Sequence, residues 1–171
     1  SISRAAGEDV GTYTITPSAA ADSNYTVSFV TADFTITAAA LTVTADAATK
    51  EYGASDPASY TYTITGFQGT DTESDLDTGV SISRAAGEDV GTYTITPSAA
   101  ADSNYTVSFV TADFTITAAA LTVTADAATK EYGASDPASY TYTITGFQGT
   151  DTESDLDTGV SISRAAGEDV G

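Results

Sequence analysis

The stretch "VSISRAAGEDVGTYTIT", residues 80–96, holds two runs of alternating character separated by "AAGEDVG". Val80 and Ile82 share one side of the first run, and Tyr93 and Ile95 share one side of the second. Ser or Thr fills the positions between. A period of two puts successive side chains on opposite faces of an extended chain, so both runs are predicted as half-buried strands. The Gly-, Glu- and Asp-containing segment between them reads as the turn. The eleven residues "SISRAAGEDVG" at 81–91 also stand at 1–11 and at 161–171. Every residue from 1 to 91 is identical to the one 80 places later. The chain is therefore two periods of an exact 80-residue repeat followed by the start of a third. Both ends fall inside a repeated unit, which reads as a window on a tandem array.

The same alternation recurs through the period. "LTVTA" at 41–45 puts Leu41, Val43 and Ala45 on one face, and "YTYTITG" at 60–66 does the same with Tyr60, Tyr62 and Ile64. "YTVSF" aligns Tyr105, Val107 and Phe109, and "FTIT" aligns Phe114 and Ile116. Six short strands per period follow, with β-branched Thr on the outer faces. Turn chemistry separates them at "YGASDP" (52–57), "GFQGTD" (66–71), "PSAAADSN" (97–104) and "VTAD" (110–113). Only "TDTESDLDTG", 70–79, has a helical signature. Thr70 with Glu73 three residues on makes a capping box, and Gly79 is placed to end the turn in a left-handed conformation.

The expected fold class is thus mainly β, a tandem array of modules of about 80 residues arranged as beads on a string. Each has about six short strands and at most one short helical turn. A β-grasp-like sheet and a small β-sandwich both satisfy the pattern. A unit of this size buries a modest core of its own, unlike the shorter units of solenoids. The uncharged "TAAAL" at 37–41 and 117–121 lacks a hairpin-closing Gly, Asn or Asp and is the best linker. Cutting there gives 1–40 as the C-terminal part of one repeat, 41–120 as a complete repeat and 121–171 as the N-terminal part of the next. Cutting at Ser1 and Ser81 is the other phase. Forty residues of alternating strand bury too little alone. In the preferred phase, residues 121–171 of one chain are expected to pack head to tail with 1–40 of another, giving an open fibre.

Composition narrows the chemistry. With 24 acidic residues against 5 basic ones, the net charge is −19. Such a surface repels phosphate backbones and anionic lipid, so no nucleic-acid partner and no membrane association are expected. It also keeps identical neighbours soluble and discourages mispairing. There is no Cys and no His, which removes disulfides, thiolate chemistry, imidazole metal sites and Ser-His-Asp catalysis. Nor are there Met or Trp residues, a profile that suits an exported protein. No apolar run is long enough to span a bilayer. Ser and Thr have no recognisable activating base, and a small strand-built bead has little room for a substrate cleft, so no enzyme is expected.

The residues "KEYGASDPASYTYTITGFQGTDT" (50–72), "SISRAAGEDVGTYTIT" (81–96) and "SNYTVSFVTADFTIT" (103–117) resemble the MBG-type repeat in its YGX variety. The likeness runs through the whole period. It implies tandem arrays within large secreted adhesins of bacteria: extracellular, surface-exposed, non-catalytic spacer or adhesive modules with no active-site residues to assign. It also implies that a repeat opens at the "LTVTA" strand.

Four residues remain as a candidate site. Asp71, Glu73, Asp75 and Asp77 fall at every second position, a supply of the hard oxygens that calcium takes. The EF-hand pattern is absent, since Leu76 stands where its Gly belongs. A capped turn with a solvated acidic face competes with calcium at this loop. In the Tyr52–Pro57 loop, Gly53 is expected to take a positive φ and Asp56 to bond local backbone. Asn24-Tyr25-Thr26, repeated at Asn104, matches a glycosylation acceptor but reads better as a turn leading into a strand. Two functions follow. The favoured one is a structural spacer holding a binding tip away from the cell, each bead projecting a few nanometres, since an eight-residue strand spans ~27 Å. The alternative is a repeated ligand-binding module, for glycan or host protein, acting by avidity. The alternation points Tyr60, Tyr62, Tyr93 and Tyr105 inward, which favours the spacer.

Overall fold

The computed structural model describes residues 1–167. The last four positions of the third "SISRAAGEDVG" copy, 168–171, lie outside them. Strands β1 (Ile2–Arg4), β2 (Gly11–Pro17) and β3 (Ala32–Ile36) come first. Next are β4 (Ala39–Ala45), β5 (Ala48–Glu51) and β6 (Tyr62–Thr65). After a 3-10 turn at Glu73–Asp75 follow β7 (Ser81–Arg84), β8 (Gly91–Ser98), β9 (Tyr105–Val110) and β10 (Ala112–Thr117). The next copy adds β11 (Thr122–Ala125), β12 (Tyr142–Thr145) and a second 3-10 turn at Glu153–Asp155. The molecule is mainly β, with its strands divided among several small sheets. Among the described residues no α-helix forms.

All six expected strands of the period are present, and β5 is an addition. Its residues Ala48–Glu51 read A-T-K-E, without the aromatic or β-branched alternation that marks the others. It forms because tertiary partners supply what its sequence lacks. Lys50 is buried and holds two carboxylates. The Tyr52 N–H that follows the strand donates to the Thr117 carbonyl at 2.8 Å.

Two compact units make up the chain. One comprises Ser1–Ala48, Pro57–Ala86 and Thr92–Phe114, and the other comprises Thr49–Asp56, Gly87–Gly91 and the described residues from Thr115 to Gly167. Neither coincides with one 80-residue period. In the first, β2 pairs antiparallel with both β1 and β3. There β4 is the middle of a three-stranded sheet, antiparallel to β6 and parallel to β9. β7 pairs antiparallel with β8, and β8 neighbours β10. The core of this unit is Leu41 and Val43 from β4, Ile95 and Pro97 from β8, and Phe114 from β10, all fully buried. Tyr60 meets Phe114 edge to face at 5.8 Å between centroids, and the Arg84 guanidinium lies 4.8 Å from the same ring. Such contacts add to area burial rather than replace it. In the second unit β5 neighbours β10, and β11 pairs antiparallel with β12.

At 37–41 the Ala-rich joint is shorter than its sequence indicates, whereas at 117–121 four residues separate β10 from β11. Ala39 and Ala40 already belong to β4 and run beside Tyr105 and Thr106. Only Thr37 and Ala38 separate β3 from β4.

Candidate functional site

The acidic loop is built around the first 3-10 turn, and its geometry corrects the expected capping. Thr72, not Thr70, is the N-cap, and the reciprocal acid is Asp75, not Glu73. The Thr72 N–H and hydroxyl both donate to the Asp75 carboxylate, at 2.8 and 2.9 Å. Those bonds hold Asp75 below the ordinary carboxylate pKa, the backbone bond being the larger cause. The turn is only three residues long because Leu76 returns at once to extended backbone. Nor does Gly79 end it in a left-handed conformation: its φ is not positive. With no α-helix to terminate, there is no helical carbonyl left for it to cap.

Each of the four sequence-selected acids serves a different partner. Asp71 accepts the Tyr105 hydroxyl at 2.6 Å. Glu73 accepts the Tyr62 hydroxyl. Asp75 caps Thr72, and Asp77 accepts the Ser103 N–H at 2.9 Å. Alternate positions in a short turn send the carboxylates in different directions, where separate donors meet them. Among the described residues no group of three or more acidic side chains is placed to share a metal ion.

Tyr105 is the hub of this region. It is buried, its ring packs edge to face on Phe67 at 5.9 Å, and its hydroxyl accepts the Gln68 N–H at 2.9 Å while donating to Asp71. The bond to Asp71 raises its pKa above the usual phenol value. Tyr62 is raised in the same way by Glu73. Tyr60, Tyr62 and Tyr93 are half-buried, so none of the four tyrosines weighed for ligand binding is an exposed platform.

The "YG" loop carries a second polar cluster. The Lys50 ammonium donates to Asp56 at 2.8 Å and also pairs with Glu88, which together raise its pKa. Asp56 thus serves the Lys50 side chain. Gly53 has φ +81, as its turn requires. Tyr52 donates its hydroxyl to Asp151 at 2.9 Å, a residue of the following copy. Nothing in the spacing of "KEYG" advertises that bond, because its acceptor lies 99 residues away. Asn104 forms the expected turn, its N–H donating to Asp102 at 2.7 Å. It also reaches the preceding copy: its side-chain oxygen accepts the Val10 N–H at 2.8 Å, and its amide donates to Asp9 at 3.3 Å.

No helix among the described residues is long and apolar enough to cross a membrane. No curated protein and no solved structure matches the chain. A family description does, that of the MBG domain (YGX type), over residues 1–35, 41–115 and 121–171. These three matches account for nearly the whole sequence and carry the Tyr52-Gly53 loop within the second of them. The chain belongs to the MBG domain (YGX type) family, as a repeat domain.

Proposed function

We propose that the repeat is a structural spacer of a secreted bacterial surface adhesin or fibre. It carries a binding tip away from the cell, bears tension and performs no catalysis. The observation that carries this reading is the joint between β3 and β4. These strands belong to consecutive copies, yet two residues separate them. A connection that short has little length in which to bend. The acidic surface supports the same reading, since copies with a strong like charge stay soluble and resist mispairing. The inward placement of Tyr60, Tyr62, Tyr93 and Tyr105 favours a spacer over a glycan- or protein-binding array.

Head-to-tail association belongs to the same proposal. Leu121 is 38% exposed where its copy Leu41 is fully buried, and Phe34 is 40% exposed where Phe114 is fully buried. Residues 121–171 of one chain and 1–40 of another carry complementary parts of the repeat that buries both. Calcium at Asp71, Glu73, Asp75 and Asp77 would act by stiffening the array.

Small-angle X-ray scattering on arrays of increasing repeat number tests these points together. A spacer gives a maximum dimension that grows in proportion to repeat number, and a calcium role adds stiffening over the same sample in chelator. A particle that stays compact as repeats are added overturns the spacer. For the 171-residue chain, particle mass that climbs with concentration is the expected sign of end-to-end association, and a constant monomer mass rejects it.

A further inference from the structure

We infer that the tyrosine and glycine of the "YG" loop form a clamp onto the next copy of the repeat, with the "FQGTD" loop of that copy as its receptor. The exact repetition lets each half of the contact be compared with a copy that lacks it. Tyr52 bonds Asp151 and is half-buried, whereas Tyr132, the same residue one period on, is 75% exposed. A Cβ added at Gly53 would fall 2.5 Å from Gln148 Cβ and 2.8 Å from its Cγ. One added at Gly133, with the same φ of +81, would meet nothing within 4 Å. The backbone turn alone therefore asks for glycine at both positions, but only at Gly53 does a neighbouring copy fill the space. Gln148 and Asp151 are half-covered, whereas their copies Gln68 and Asp71 are exposed. Val90, Phe147 and Leu156 line the cleft around this contact.

Superposing the two copies in sequence gives the receptor a second role. Asp71 accepts the hydroxyl of Tyr105 from its own repeat, and Asp151 accepts that of Tyr52 from the repeat before. A carboxylate offers about four lone-pair sites, enough for both donors. In an array each such aspartate ties its repeat's own core tyrosine to the neighbour's loop tyrosine. The bonds from Asn104 to Val10 and Asp9 join the preceding copy to the middle one in the same sense. Coupling of this kind makes stability a sum over repeats and junctions.

Hydrogen exchange on the full chain tests the clamp, using its own duplicates as controls. Tyr52→Phe should speed exchange of amides in 147–156 by about tenfold, the loss expected for one hydrogen bond to a carboxylate, and Gly53→Ala should speed it in the same segment because its Cβ displaces Gln148. Tyr132→Phe should leave that segment unchanged, and Gly133→Ala should disturb only its own loop. The clamp is overturned if Tyr52→Phe and Gly53→Ala leave 147–156 as in the parent chain, or if the Tyr132 and Gly133 variants shift it equally. The inference stands beside the spacer reading: exchange reports the junction, while scattering reports extension, so either can fail without the other.

Discussion

Phe34 and Phe114 are one residue written twice, with the same neighbours in sequence for dozens of positions either side. Phe114 has no exposed surface, stacks edge to face with Tyr60 and lies under Arg84. Phe34 keeps 40% of its surface, with the Arg4 guanidinium 5.0 Å from its ring centroid. Truncation should separate them. Phe114→Ala removes a ring from a closed core and should cost about 3–5 kcal/mol, whereas Phe34→Ala should cost under about 1 kcal/mol. Urea unfolding of the two variants against the parent chain measures the gap, and equal costs would mean that Phe34 has a closed core of its own. Tyr105 and Tyr25 repeat the contrast, at 8% and 77% exposed. Pattern told which face each residue prefers, but not whether a partner would be there to cover it.

At the scale of elements, β4 and β11 make the same comparison. Thr42–Ala45 pairs with Tyr62–Thr65, and Thr122–Ala125 pairs with Tyr142–Thr145, in the same register. β4 also has β9 along its other edge, with Thr42 and Ser108 hydroxyls 3.1 Å apart, and three of its residues are buried. All four residues of β11 are exposed. Two strands alone are marginal in water, and opening costs least where little apolar surface is covered. Amides of β11 and β12 should therefore exchange faster than those of β4 and β6, in spite of identical sequence. Equal protection would point to a partner covering β11, as end-to-end association would supply. The strands legible from alternation were the ones that bury one face. β5 was not, because Lys50 is buried through its ion pairs with Asp56 and Glu88 rather than through an apolar side chain.

Over the whole molecule, tyrosine–carboxylate bonds recur: Tyr52 to Asp151, Tyr62 to Glu73, Tyr105 to Asp71 and Tyr142 to Glu153. Each bond raises the phenol above its usual 10.0. A raised folded pKa means that the proton is held more tightly in the folded state, so the contribution is complete below 10 and lost as pH climbs through the raised values. The unfolding temperature should fall across that alkaline window, in step with tyrosinate absorbance, in a chain that is already at −19. Stability that stays flat while the tyrosines ionise would deny these bonds any part in the fold. In acid, the opposite sign holds for Asp136, which Arg164 and Lys130 keep well below the carboxylate range. Its contribution is present above the ordinary carboxylate pKa and fades as pH falls through the depressed one.

Sequence alone determined the period, the strand faces, the acidic surface and the family resemblance. Each is a property of residue type and spacing, which needs no partner to be read. Tertiary structure decided the rest: how the strands divide into small sheets, the parallel seating of β4 beside β9, the shift of the cap from Thr70 to Thr72, and the reach of Tyr52 to Asp151. These depend on which distant groups arrive at a given side chain. In an exact repeat that is the one thing spacing leaves open, because every copy offers the same donors and acceptors and only three-dimensional neighbourhood tells them apart.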